Sequence, residues 1–160
     1  MFVSAYFGRD VFTYKSPDGF LIDMPWGNAT TTLRWNHVFN SQLFMNATAI
    51  YNDYNFEFKG TFNDFTAKFF SGVQDWNAKL DFDYFPHPNH IVKFGLNYTY
   101  HTFTPYTIDA AIGEGADFET AEFNKEYAHE TGIYVQDDFS IGDKLKFNVG
   151  LRASGYQQVG

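Results

Sequence analysis

Residues 75–84 read DWNAKLDFDY. Successive side chains of a strand point to opposite faces, so Asp75, Asn77, Lys79, Asp81 and Asp83 share one face and Trp76, Ala78, Leu80, Phe82 and Tyr84 the other. A two-faced strand of this kind fits a soluble sheet with one wet side. It fits equally the wall of a transmembrane barrel, whose wet side is the lumen and whose apolar side meets lipid.

Outward from that stretch the alternation repeats. Leu43, Met45, Ala47, Ala49 and Tyr51 share a face in a strand expected over about 43–58. Val92, Phe94, Leu96, Tyr98 and Tyr100 oppose Lys93, Gly95, Asn97, Thr99 and His101 over about 91–104. Leu145, Phe147, Val149 and Leu151 oppose Lys146, Asn148, Gly150 and Arg152 over about 145–157. Further strands are expected over about 2–14, 29–39 and 131–141, and the opening stretch ends its own strand at Pro86 and Pro88, which cannot donate to a ladder. No amphipathic helix of useful length interrupts them. The chain reads as all-β, with about seven antiparallel strands.

The linkers carry a second pattern. KSPDGFLIDMPWGN, residues 15–28, reads as a loop through Pro17, Gly19, Pro25 and Gly27, and residues 106–130 form the longest irregular stretch. KGTFND at 59–64 is a turn signal, and NSQ at 40–42, PHPN at 86–89 and GDK at 142–144 are short turns. Consecutive antiparallel strands place alternate linkers at opposite ends, so the short ones fall together. Outer-membrane barrels show that asymmetry, with short periplasmic turns and long outer loops.

Composition points the same way. In 160 residues the aromatics reach 21%, with Phe 20 and Tyr 11, while hydrophobic residues total 44% and the mean hydropathy is -0.35. Leu, Ile and Val, which fill most soluble cores, are scarce, and aromatic rings suit membrane interfaces. A net charge of -8 with 11 scattered Lys and Arg excludes a nucleic-acid partner. Without cysteine there is no disulfide, thiolate metal site or Cys nucleophile. No apolar run is long enough for a transmembrane helix, so a membrane location requires strands. The opening MFVSAYFGRD has neither the basic nor the apolar region of a signal peptide, so an exported barrel is expected to be an internal piece of a longer chain.

Three segments carry a family resemblance. ETGIYVQDDFSIGDKLKFNVGLRAS, residues 130–154, resembles the strand, tight turn and strand of TonB-dependent outer-membrane receptors, with Tyr134-Val135-Gln136-Asp137 before an aromatic and a return into Gly150-Leu151-Arg152. LRWNHVFNSQLFMNATAIYNDYNF at 33–56 and DFDYFPHPNHIVKFGLNYTYHTFTP at 81–105 are similar to hairpins of the Bacteroidetes type. The resemblance implies an antiparallel up-and-down transmembrane β-barrel segment, an incomplete barrel over residues 1–160. Family barrels have about 22 strands, a plug and a TonB-contacting box, and neither plug nor box is read here. It further implies location in the bacterial outer membrane, contact with lipid and lipopolysaccharide, and energy from TonB through an N-terminal part. The function implied is import of a scarce or bulky nutrient of the siderophore, vitamin or glycan class. The alternatives are a small stand-alone barrel acting as passive porin or adhesin, and a soluble β-sandwich that stacks sugars on exposed Trp and Tyr.

Few residues suggest chemistry. Asp109, Glu114, Asp117, Glu119, Glu122, Glu126 and Glu130, offset only by Lys125, would suit a cation or a cationic substrate, but the spacing fits no EF-hand and reads as a solvated outer loop. His87 and His90 flank Pro88 and Asn89 as turn residues, and His37, His101 and His129 are isolated along the chain and take no ligand role. Asp81 and Asp83, beside Lys79, read as a lumen wall in preference to a glycosidase pair. No G-x-S-x-G elbow exists, and no enzyme activity, cofactor or metal is expected. The sequons at Asn28, Asn46 and Asn97 read as chance on a bacterial barrel, and Trp35, Trp76, Tyr98 and Tyr100 are candidates for an aromatic girdle. Ligand contacts are expected in 105–127 and on lumen residues that the sequence does not single out.

Overall fold

A computed structural model of the chain describes residues 1–112, 119–122, 124–142 and 144–159, residues 119–122 by their backbone alone. Its strands are β1 (Phe2–Lys15), β2 (Leu21–Val38), β3 (Leu43–Phe62), β4 (Phe65–His87), β5 (His90–Ile112), β6 (Glu119–Glu122), β7 (Glu126–Ile141) and β8 (Leu145–Val159). All pair antiparallel in one open sheet in the order β1-β2-β3-β4-β5-β7-β8, with β6 also on β5. Among the described residues no helix and no second sheet cover it.

The strands outrun the sequence reading. Residues 15–28 are mostly strand: only Ser16–Phe20 turn, with Gly19 at φ 85 and Ser16 N–H bonded to Phe20 O at 2.8 Å. Pro25 stays in β2, opposite Val11 of β1, and the ladder to β3 lapses beside it, between the Asp23–Lys59 and Trp26–Phe56 pairs. A proline lacking its N–H costs a rung on one side, and a fully paired neighbour on the other keeps the strand straight. The turn between β3 and β4 shrinks to Asn63 and Asp64, with Asn63 at φ 50. β5 runs on through Pro105, and β7 begins at Glu126 and not near 131. The length expected in loops lies instead in strands, and the expected long-short alternation of linkers reduces to one long connection, 113–125, that contains β6.

Prolines also explain the seven columns. β6 pairs Thr107–Ala110 of β5, and β7 pairs His90–Phe103, so the two follow each other along one edge of β5. Pro105 sits opposite the gap between them, and on the β4 side a bulge spans Phe70/Gly72 at the same level. At Pro86 a second irregularity separates the Tyr84–Val92 and His87–His90 pairs. Eight elements therefore fill seven columns.

Register settles the faces. Ala47, Leu80, Leu96, Ile133 and Ala153 oppose one another across β3, β4, β5, β7 and β8, so the apolar sets of all five strands share a face. Trp76, Ile133 and Leu151 on that face are 61%, 57% and 78% exposed. On the other face Ala128 is 0% and Thr99 9% exposed. Curvature crowds side chains on the concave side, so the polar face is the inner one, the reverse of a soluble sheet.

Candidate functional site

The inner face of β4, β5, β7 and β8 holds several groups of cross-strand polar contacts. Tyr134 Oη donates to Asp81 Oδ1 at 2.7 Å, and Lys79 Nζ lies 3.0 Å from Asp81 Oδ2. Arg152 Nη2 donates to Asn97 Oδ1 at 3.2 Å, and Asn77 Nδ2 to Thr99 Oγ1 at 2.7 Å. Nearer the 113–125 end, His101 lies between two carboxylates, with Nδ1 2.7 Å from Asp75 Oδ1 and Nε2 3.6 Å from Glu130 Oε2. Each imidazole nitrogen thus faces a carboxylate on a neighbouring strand, Asp75 on β4 and Glu130 on β7.

Glycines make room for the long side chains. A Cβ on Gly95 would lie 2.5 Å from Leu80 O and 2.8 Å from the Tyr134 ring, and one on Gly132 would strike Asn97 and Arg152. The Tyr134 ring and the Arg152 guanidinium therefore lie flat along the wall and leave the concave space open. Among the described residues no three metal-ligating side chains converge on an ion site.

The outer face is organised by aromatic rows. At the 113–125 end, Tyr51 and Trp76 rings meet at 4.6 Å, Tyr100 stacks on Tyr127 at 5.9 Å, and Tyr98 Oη bonds His129 Nδ1 at 2.7 Å. Just beyond the row the face turns wet: Tyr51 Oη donates to Asp53 Oδ2 at 3.1 Å, and Gln74 Nε2 donates to the same oxygen at 2.8 Å. At the short-turn end, Phe82 stacks on Phe94 at 4.9 Å, His90 on Phe139 at 5.7 Å and Phe139 on Phe147 at 5.2 Å. Between the rows, Leu33, Trp35, Ala49, Ala78, Leu80 and Leu96 line a shallow apolar groove. On β4 the band runs from Trp76 to Tyr84, about nine residues, which is the length a tilted barrel strand spends in hydrocarbon.

The residues singled out by sequence separate on this frame. Trp76, Tyr98 and Tyr100 stand together in the first row, and Trp35 leads through His37 to Phe39, with ring centroids at 5.3 and 4.5 Å, toward the short turns. His87 and His90 face each other at 6.4 Å across their turn, and His90 Nδ1 bonds Asp137 Oδ2 at 2.7 Å. The acidic stretch is no single loop. Asp109 lies on β5, Glu126 accepts from Gln158 Nε2 at 2.8 Å, Glu130 approaches His101, and Glu119 and Glu122 fall on β6. Glu114 and Asp117 lie outside the described residues. Asp81 takes its place in the Tyr134 and Lys79 network, while Asp83 lies opposite Lys93 in register. His101 is the residue that sequence reasoning passed over: Asp75 and Glu130 reach it only through strand register.

Comparison with known proteins agrees with this architecture. Residues 3–160 match the family described as TonB dependent receptor-like, beta-barrel. The solved ferric preacinetobactin receptor BauA of Acinetobacter baumannii superposes with a TM-score of 0.62 at 15% identity, over 98% of this chain and 31% of that one. The NanC porin aligns with a TM-score of 0.16 at 10% identity over 96% of this chain and 94% of its own, too poor a superposition to speak for a shared fold. No curated protein matches by sequence. This chain thus spans about a third of the length of the solved receptor it superposes on. Its one curved antiparallel sheet, wet inside and apolar outside, is barrel wall, and the family match over nearly all of its length gives the conclusion that the chain belongs to the TonB-dependent receptors, through their β-barrel.

Proposed function

We propose that these 160 residues are part of the wall of an outer-membrane active transporter that binds and imports a scarce or bulky nutrient with energy supplied by TonB. The observation that carries this reading is the inversion of burial, with an apolar band exposed on the convex side between two aromatic rows and hydrogen-bonded polar side chains on the concave side. Exposed Leu and Ile in a continuous band would be a liability in water and are the expected surface in lipid. Family barrels are outer-membrane proteins, and the convex band is read as meeting lipid there, with lipopolysaccharide at its upper rim. TonB engages a part of the receptor outside these residues, and the role is transport and not catalysis. On this reading 1–160 is a partial barrel of the Bacteroidetes type of receptor, and the inner wall carries the ligand contacts, the siderophore, vitamin and glycan classes being the candidates.

Density-gradient fractionation tests this, using an antibody to residues 124–142. The expected result is a heat-modifiable band in the outer-membrane fraction, well above 18.5 kDa. Recovery in the soluble fraction rejects the reading. Nutrient uptake that continues unchanged in a strain without TonB rejects active transport while sparing the membrane location.

A further inference from the structure

The apolar band of the convex face ends differently at its two limits. At the Tyr51–Trp76 row the faces exchange: on β3 the convex set of Ala47, Ala49 and Tyr51 continues as Asp53, Glu57 and Lys59, while the concave set passes from Thr48 and Asn52 to Tyr54, Phe56 and Phe58. Past that row the wall is wet outside and aromatic inside. At the short-turn end the band stops at histidines. β4 ends at His87 and β5 begins at His90, with only Pro88 and Asn89 between them, and the two imidazoles face each other with ring centroids 6.4 Å apart.

Register adds a third residue to this pair. Asp137 of β7 stands 47 residues from His90 in sequence, yet its Oδ2 lies 2.7 Å from His90 Nδ1, and the His90 ring stacks on Phe139 at 5.7 Å. A carboxylate only accepts, so Nδ1 carries the proton and the neutral ring keeps its lone pair on Nε2, while the stack fixes the ring plane. His90 therefore presents an oriented nitrogen donor, with 43% of its side chain exposed. Asp137 Oδ1 is buried in the wall, so the carboxylate acts through the imidazole and does not take up an ion itself. His87 is exposed and held by one long contact, from Asn89 N–H to its Nδ1 at 3.3 Å, and loss of that contact lets the ring carry its lone pair on Nε2. The other three histidines lack this arrangement. His101 turns both nitrogens to carboxylates, His37 stands between Trp35 and Phe39, and His129 bonds Tyr98 Oη.

We infer that the turn His87-Pro88-Asn89-His90 is a two-histidine site for a divalent transition metal of the zinc, copper and nickel class, with His87 and His90 as the ligands and Asp137 as the residue that positions His90. Imidazole nitrogens suit these ions, and water fills the remaining coordination positions. An ion about 2 Å from each nitrogen holds two ring centroids about 5–6 Å apart, which this pair reaches by a small rotation of His87. A bound ion ties the β4–β5 turn, through His90 and Asp137, to β7. The sequence alone shows two turn histidines, and only strand register supplies the carboxylate behind one of them. The site does not depend on the transporter reading.

The test is calorimetric titration of the whole polypeptide, purified in detergent without a histidine tag and stripped with a chelator, with zinc chloride and copper(II) chloride. Wild type should bind one ion that a variant carrying both H87A and H90A does not bind. D137N should weaken that ion by about 10- to 100-fold, as loss of a carboxylate behind a ligating imidazole does, and H37A should leave it unchanged. Electron paramagnetic resonance of the copper form reads the ligands independently of affinity: the ion should show two nitrogen donors in wild type and one in H87A. A single nitrogen in wild type, or equal binding by wild type and the double variant, overturns the inference. Binding by D137N as tight as by wild type also overturns it, since the pair is then a surface chelate that the wall does not position. Competition by calcium chloride at similar concentration overturns it as well, because calcium takes oxygen ligands.

Discussion

At the residue scale, the side of the wall a residue stands on decides what a charge there costs. Leu80 lies midway along the band between Trp76 and Tyr84, on the convex face. Leu80→Arg is expected to cost about 2–4 kcal/mol, as a charge does at the bilayer midplane, whereas Thr32→Glu on the concave face is expected to cost less than about 1 kcal/mol. Urea unfolding in lipid vesicles measures both, and equal losses would refute the assignment of faces. Those faces were legible in the sequence, because DWNAKLDFDY alternates without a break through the band, although on β3 Phe44 and Ile50 fall on the concave face. The contacts within the concave face were not legible. His101 lies 26 residues from its Asp75 partner, and Tyr134 lies 53 from Asp81, so nothing local links either pair. Only a register fixed by hydrogen bonding brings them together.

At the scale of the element, prolines and turns set where the ladders hold. Asn63 sits at φ 50 in a two-residue turn between β3 and β4. Asn tolerates the left-handed region and a β-branched residue does not. Asn63→Val is therefore expected to destabilise the hairpin by about 1–2 kcal/mol, with Asn63→Gly close to neutral, as read by the midpoint of urea unfolding. A Val variant as stable as wild type would show that the turn relaxes to another geometry. Strand number and order were readable from the sequence, and strand length was not. Pro17, Gly19, Pro25 and Gly27 look like a loop when counted as breakers, yet the alternation of Ile22, Met24 and Trp26 with Asp23 continues underneath them. A neighbouring strand that supplies its hydrogen bonds outweighs a local preference. The change of faces was also visible in FEFKGTF, residues 56–62, where apolar residues take the even positions after holding the odd ones through Tyr51.

At the scale of the whole molecule, the wall has two ends and two edges. The absence of cysteine allows single thiols to report on the ends. Lys68→Cys, on the convex face beyond the aromatic row, is expected to react with a membrane-impermeant maleimide on intact cells. Asn89→Cys, in a short turn, should react only after the outer membrane is opened. The opposite pattern would invert the orientation of the barrel. The edges are β1 and β8, each paired on one side only among the described residues. In hydrocarbon every unpaired N–H or C=O costs several kcal/mol, so on the proposed membrane reading both edges call for a partner strand. The exchange of faces at the Tyr51–Trp76 row bears on how such strands are added. A hairpin docked one residue out of frame would turn Lys79 and Asp81 into lipid below the row and Phe56 and Phe58 into outer water above it. Two solvents reject the same error independently, so the stretches on either side of the row specify one and the same register.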